Sequence, residues 1–244
     1  KMNKIYVVGI GPGNIENMTF EAYDTLKKSD IIIGYKTYIE LIKDEFKDKE
    51  LISSPMKKEV DRCKDVLELA KSGKVVSLIS SGDAGVYGMA GIMLEVGGDQ
   101  CEIIVIPGVT ACNAAAAVVG APIMHDSVNI SLSDLLTDWE LIKKRVALAS
   151  EGDFVIALYN PKSNGRVTQL DEAREIMMKY KKKETVVAIV KNAKRENESV
   201  VLSDLENMMN FKVDMLSTVI IGNSNTFIKN GKMITPRGYK LWFG

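Results

Sequence analysis

The chain has 244 residues, 46% hydrophobic and 26% charged, enough to build the core of one large domain or two small ones. Its 32 basic and 32 acidic residues cancel, which argues against nucleic acid as the main partner while leaving room for a local basic patch. No apolar run approaches the ~18 residues of a membrane span and no leader is visible, so no membrane partner and a cytoplasmic location are expected; Lys1 ahead of Met2 reads as an addition before the natural start.

Residues 5–10 read as a strand running into Gly9-Ile10-Gly11-Pro12-Gly13. The dinucleotide fingerprint is G-x-G-x-x-G; here the third glycine comes one residue early, and Pro12 lacks an N–H to offer a pyrophosphate. Residues 18–28 carry helical spacing with Thr19 as N-cap. A short buried strand at 31–33, an amphipathic stretch at 38–46 and a short strand at 51–53 follow. Residues 59–72 form a helix closed by Gly73.

The strand at 75–79 breaks into Ser80-Ser81-Gly82-Asp83-Ala84-Gly85-Val86-Tyr87-Gly88, ahead of a helix over 89–96. Glycines and one carboxylate at a strand end mark a place where backbone meets a ligand. Asp83 is either a turn aspartate capping the next helix or a group facing a polar ligand. The strand at 101–106 ends likewise, in Pro107-Gly108-Val109-Thr110-Ala111, before a small-residue helix over 110–119. Thr110 serves as an N-cap, a ligand contact, or both. Continuous apolar strands between helices indicate a parallel sheet covered on both faces.

Gly120-Ala121-Pro122 interrupts the pattern and marks an expected boundary between domains 1–121 and 122–244. Beyond it, strands are expected at 128–132, 154–158, 185–190, 199–201, 218–221 and 232–234, with helices at 138–150 and 167–180. The Asn230-Gly231 turn suggests a hairpin and a mixed sheet. Residues 179–183 read as a solvated helix end. The thiols Cys63, Cys101 and Cys112 show no paired spacing and read as reduced and buried. With a single histidine, His125, no protein-built metal site is expected. His125 itself is a structural or a catalytic residue, its place at the boundary favouring neither.

Taken together, these motifs resemble the tetrapyrrole (corrin/porphyrin) methylases, enzymes that use S-adenosylmethionine. The likeness spans the whole chain and rests on Gly9–Gly13, the Gly82-Asp83 loop with Tyr87-Gly88, and Pro107 to Ala111. His125-Asp126 leading into Ser133-Asp134-Leu135-Leu136, Tyr159-Asn160-Pro161 and Thr235-Pro236-Arg237-Gly238-Tyr239 place it nearest the subgroup that methylates C17 of precorrin-3B or its cobalt counterpart and contracts the ring. The resemblance implies two α/β domains of the αβα type, with a mainly parallel N-terminal sheet, a mixed C-terminal sheet and a ligand cleft between them. It implies a homodimer in cobalamin biosynthesis, with S-adenosylhomocysteine as product. Carried over by position, Pro12, Ser81, Gly82, Asp83, Val86, Thr110, Ala111, Asn160 and Ala193 would bind the cofactor. Some relatives that methylate uroporphyrinogen carry an aspartate after the second strand as a proposed proton acceptor. Here Gly34-Tyr35-Lys36 stands there instead.

Methyl transfer from a sulfonium needs no metal; the protein must hold donor and acceptor in near-attack geometry and exclude water. Ring contraction moves protons, and His125, Asp126 and Asp134 are the acid–base candidates. Gly11, Lys36, Tyr87, Arg166 and Arg237 are candidates for the polycarboxylate substrate, with Lys57, Lys58, Arg62 and Lys162 as further cations near loops. The alternatives are another methyltransferase of the same fold, a non-catalytic tetrapyrrole carrier, and a dinucleotide-dependent oxidoreductase, which the short glycine spacing disfavours.

Overall fold

A computed structural model describes residues 2–55 and 58–241. Lys1 and Lys57 lie outside the described residues. The chain divides into two compact units, Lys1–Ala111 and Cys112–Gly244.

The first unit runs β1 (Lys4–Gly9), α1 (Phe20–Lys28), β2 (Ile31–Tyr35), α2 (Lys36–Ile42), β3 (Glu50–Ser54), α3 (Glu59–Lys71), β4 (Val76–Ser80), α4 (Ala90–Gly97) and β5 (Glu102–Ile106). The strands make one parallel sheet in the order β3-β2-β4-β1-β5. Handedness then assigns the helices to faces. Right-handed crossovers from β1 to β2 to β3 travel one way along the sheet, and those from β3 to β4 to β5 travel the other way. The packing agrees. Ala22, Leu26, Ile39 and Ile42 of α1 and α2 cover Val8, Ile32 and Ile79, while Cys63, Val66, Ala90 and Met93 of α3 and α4 cover Ile5, Val7, Ile33 and Leu78. Successive strand residues thus serve opposite cores. Because β1 and β4 are neighbours whose connections leave in opposite directions, their carboxyl ends form a topological switch point, where open sheets bind ligands.

In the second unit α5 (Ala111–Val119) starts on the last residue of the first and leads into β6 (Gly120–Ala121). There follow β7 (Ser127–Ser131), α6 (Trp139–Glu151), β8 (Val155–Tyr159), α7 (Gln169–Met177), β9 (Val186–Lys191), β10 (Ser199–Asp204), β11 (Ser217–Ile221), β12 (Phe227–Lys229) and β13 (Lys232–Ile234). The main sheet, β10-β9-β11-β8-β7, is antiparallel except for the β7–β8 pair. On one face α6 and α7 bury Ile142, Val146, Leu170 and Met177 against Ile156, Leu158 and Val219. On the other, Ala115, Ala116 and Val119 of α5 meet Val155, Ala188 and Ile220, the alanines allowing close approach of helix to sheet.

Thr19 caps α1 as the sequence suggests, its hydroxyl accepting from Ala22 N at 3.1 Å. Asn230 and Gly231 both take positive φ and close the β12–β13 hairpin. Gly120-Ala121 is not a break: it pairs in parallel with Met233 and Ile234, so the glycine-proline signal marks a two-residue strand inside the second unit. The 179–183 stretch also departs from expectation. Helix α7 ends at Met177, and Lys181 is buried, its Nζ donating to the carbonyls of Phe154 (2.8 Å) and Gly222 (3.1 Å). Burial lowers its pKa, with Asp153 opposing. All three cysteines are free and buried, and burial pushes the Cys63 and Cys112 thiols up to about 11, so at neutral pH neither is a thiolate nucleophile.

Candidate active site

At the switch point three glycine loops lock together. Past the parallel β1–β4 ladder the two loops pair through an isolated antiparallel bridge, Gly11 N to Gly82 O (3.0 Å) and Gly82 N to Gly11 O (2.8 Å). Both glycines sit at φ +69°, a region that excludes most side chains. Gly108, after β5, closes the third side. A Cβ on Gly108 would stand 2.3 Å from Gly82 O and 2.6 Å from Gly9 O; one on Gly9 would stand 2.7 Å from Gly82 O. The absence of side chains at Gly9, Gly11, Gly82 and Gly108 is what lets these backbones touch.

Asp83 sets the outer loop. Its Oδ1 accepts from Gly85 N at 2.8 Å and its Oδ2 from Gly108 N at 3.0 Å, so one carboxylate ties the β4 loop to the β5 loop. Ser80 Oγ accepts from Met89 N at 3.0 Å and fixes the entry to α4. Thr19 donates to Pro107 O at 3.3 Å, joining α1 to the same rim. Tyr87, at φ +53°, is exposed at the crest of the loop. Pro12, Ser81, Gly82, Asp83, Val86 and Thr110 lie on these loops, as do the substrate candidates Gly11 and Tyr87, and Ala111 opens α5 directly after them. Lys36 is exposed at the first position of α2, directly beyond the carboxyl end of β2. Arg62, by contrast, is spent inside the fold. It is 4% exposed, donates to Pro55 O (2.9 Å) and Ser54 Oγ, and reaches Met89 Sδ at 3.6 Å. Lys58 is exposed at the N-cap position of α3.

In the second unit Asn160 and Ala193 follow β8 and β9, which point the same way on either side of β11, so both lie on one edge of the sheet. Asn160 takes φ +49°. Its Nδ2 donates to Ser131 Oγ at 3.0 Å and its carbonyl accepts from Arg166 Nε at 3.0 Å. Asp134 lies on the same edge and accepts from Gln169 Nε2 at 3.1 Å. Tyr159 Oη accepts from Cys112 N at 2.9 Å and anchors the start of α5 there. Lys162, half-buried, belongs to the Arg166 loop, which a reciprocal Ser163–Arg166 backbone pair closes at 3.1 Å in each direction.

His125 and Asp126 precede β7, whereas Asp134 follows it. Five residues at about 3.3 Å each put roughly 16 Å between the two groups, so the three acid–base candidates do not form one cluster. His125 Nδ1 accepts from Asp126 N at 2.9 Å, and its Nε2 lies 3.5 Å from Arg237 Nη1. Arg237 therefore belongs with His125, at the end of the strand remote from Asn160. Among the described residues no three His, Cys, Asp or Glu side chains converge as metal ligands, and no helix is long and apolar enough to cross a membrane.

Sequence reasoning missed two supports of this edge, the Ser131 hydroxyl and the Tyr159 hydroxyl. Only the β7–β8 register, which sets Ser131 beside Tyr159, brings the serine to Asn160.

The sequence profile of the Tetrapyrrole (Corrin/Porphyrin) Methylases matches residues 4–208. The chain belongs to this family. It is 48% identical to the cobalt-factor III methyltransferase of Priestia megaterium over 97% of its length, although it spans only 45% of that longer protein. It is 49% identical to the probable cobalt-factor III C(17)-methyltransferase of Salmonella typhimurium, covering 96% of this chain and 99% of that one. The crystal structure of the methyltransferase CobJ superposes with a TM-score of 0.90 at 32% identity, over 96% of this chain and all of that one. A uroporphyrin-III C-methyltransferase from Thermus thermophilus, solved with S-adenosylhomocysteine, shares the fold at a TM-score of 0.68, 20% identity and 90% coverage of this chain.

Proposed function

We propose that this methylase transfers a methyl group from S-adenosylmethionine to C17 of a trimethylated corrin precursor, with ring contraction, in cobalamin biosynthesis. The observation that carries this reading is the glycine-locked switch point in a chain whose full-length relatives are named for this reaction. The donor set suits the cofactor. The rim offers backbone amides, small residues and Pro12, and its one carboxylate is already bonded to backbone, as fits a phosphate-free ligand. Pro12, Ser81, Gly82, Asp83, Val86, Thr110 and Ala111 would hold it on the first unit, Asn160 and Ala193 on the second. When bound, the sulfonium supplies an activated methyl group, so the chain's own work is placement and exclusion of water.

The substrate carries many carboxylates, for which Lys36, Arg166 and Arg237 are the proposed cationic partners, with Gly11 and Tyr87 contributing shape. A cobalt-bearing substrate is favoured, because relatives named for cobalt-factor III reach 48–49% identity and a relative named for precorrin-3B reaches 37%. The chain is proposed to act as a homodimer in the cytoplasm. Anaerobic incubation with S-adenosylmethionine and either cobalt-factor III or precorrin-3B, read by mass spectrometry, tests the whole reading. Gain of one methyl group with the cobalt form is expected. No product from either, with S-adenosylhomocysteine binding intact, would point to another methyltransferase of this fold or a carrier.

Among the acid–base candidates, Asp134 shares an edge with Asn160 and Ala193, whereas His125 and Asp126 do not. Asp134→Asn is therefore expected to lower kcat by about tenfold or more, within the range of general acid–base catalysis. His125→Ala should stay within about threefold of wild type. Steady-state rates at saturating cofactor decide it, and a larger loss in His125→Ala would reverse the ranking.

A further inference from the structure

Arg166 is built differently from the other candidate cations. Lys36 and Arg237 are exposed, but Arg166 is 7% exposed, held within a closed turn of its own loop. Of its five N–H donors the Nε–H is used, on Asn160 O. Among the described residues neither Nη1 nor Nη2 donates a hydrogen bond; the side chain is largely buried, but no fully buried side-chain nitrogen lacks a partner, so both terminal groups keep contact with solvent. Its pKa is lowered by that burial, with Asp134 opposing. Asp134 is itself engaged by Gln169. Two terminal NH2 groups in a planar fork are the geometry that receives a carboxylate with two parallel hydrogen bonds.

The same side chain holds the candidate cofactor residue. Asn160 is in a left-handed conformation that costs a non-glycine residue about 1 kcal/mol or more, and two contacts keep it there: Ser131 on its amide and Arg166 on its carbonyl. We propose that Arg166 is a two-ended positioning residue: its Nε fixes Asn160 for the cofactor while its two terminal NH2 groups receive a carboxylate of the macrocycle. Substrate docking and cofactor geometry then depend on one guanidinium. This rests on the methylase reading above, and goes beyond it in joining the two ligands through one side chain.

The test uses Arg166→Met, Arg166→Lys and Ser131→Ala, with dissociation constants for S-adenosylhomocysteine and methylthioadenosine by calorimetry and KM for the tetrapyrrole. Losing a charge-assisted contact at each end, Arg166→Met should weaken both nucleosides and raise KM, each by about tenfold or more. Lysine has one ammonium and cannot serve both ends, so Arg166→Lys should recover part of KM and leave the nucleosides weak. Ser131→Ala should weaken the nucleosides a few-fold and leave KM unchanged. Should Arg166→Met fail to fold by circular dichroism, the last two variants carry the same contrast. Unchanged nucleoside affinity in Arg166→Met would reduce Arg166 to an anion binder, and unchanged KM would reduce it to a structural residue; either overturns the proposal. Weakening of S-adenosylhomocysteine but not methylthioadenosine would overturn it too, by assigning the fork to the cofactor's own carboxylate. A wild-type protein that binds neither nucleoside would instead sink the methylase reading itself.

Discussion

Gly108→Ala is expected to give the largest loss of any single methyl addition to this protein. The new Cβ would stand 2.3 Å from Gly82 O and 2.6 Å from Gly9 O. Both obstacles are backbone, so neither can rotate aside. The oxygen of Gly82 already accepts from Gly11 N, and retreat would break the bridge that joins the β1 and β4 loops. Overpacking of this kind costs about 1–3 kcal/mol, and more where nothing yields. For a chain of this size that is roughly 2–12 °C of melting temperature. The functional loss should exceed the loss of stability, because all three loops that form the rim shift together. S-adenosylhomocysteine affinity is expected to fall by about tenfold or more, equivalent to about 1.4 kcal/mol. Gly91→Ala is the control: its Cβ meets nothing within 4 Å, and it sits in α4, where alanine is favoured over glycine by about 0.5–1 kcal/mol. Calorimetric melting with titration of S-adenosylhomocysteine on both variants distinguishes the cases. A Gly108→Ala protein that binds like wild type would show that the rim is not the cofactor site.

The first unit was largely legible because its rules are local. Apolar strands such as 31–33 and 75–79, the Thr19 cap and Gly73 at the end of α3 each state their role within a few residues. Even the face each helix covers follows from strand order and handedness. The second unit resisted where its partners are distant in sequence. Gly120-Ala121 reads as a break because the strand that pairs with it begins 112 residues later, at Lys232. Lys181 reads as solvated because nothing nearby announces that its ammonium will satisfy the carbonyls of Phe154 and Gly222. At the site the same division holds. The loops were visible as glycine clusters, but their function depends on mutual contact between Gly9, Gly82 and Gly108, and that needs the strand order β4-β1-β5. The acid–base trio was proposed as a sequence neighbourhood, and a five-residue strand was enough to separate His125 from Asp134.

Asp83→Asn is expected to behave almost as badly as Asp83→Ala, and the reason is the direction of its hydrogen bonds. Both carboxylate oxygens accept from backbone N–H groups, Gly85 on one side and Gly108 on the other. Asparagine supplies one acceptor and one donor, so its NH2 must face one of those amides donor to donor. The variant loses a charge-assisted bond worth about 1.5–3 kcal/mol and leaves an amide of the rim unsatisfied. Had Asp83 served only to contact the cofactor, the melting temperature of the ligand-free protein would not change, and asparagine would keep much of the binding to hydroxyls, which both donate and accept. As a clamp it must act before any ligand arrives. Melting of ligand-free Asp83→Asn is therefore expected to fall by several degrees, about 2–4 °C for each kcal/mol lost. S-adenosylhomocysteine should bind at least about tenfold more weakly to both variants, as the Gly85 to Tyr87 crest loosens. An unchanged melting temperature together with weakened binding would make the carboxylate a direct ligand; a lowered one with intact binding would detach the clamp from the site. The aspartate that marks the loop in the sequence then acts chiefly on the protein, by holding two neighbouring strand ends at the spacing the ligand requires.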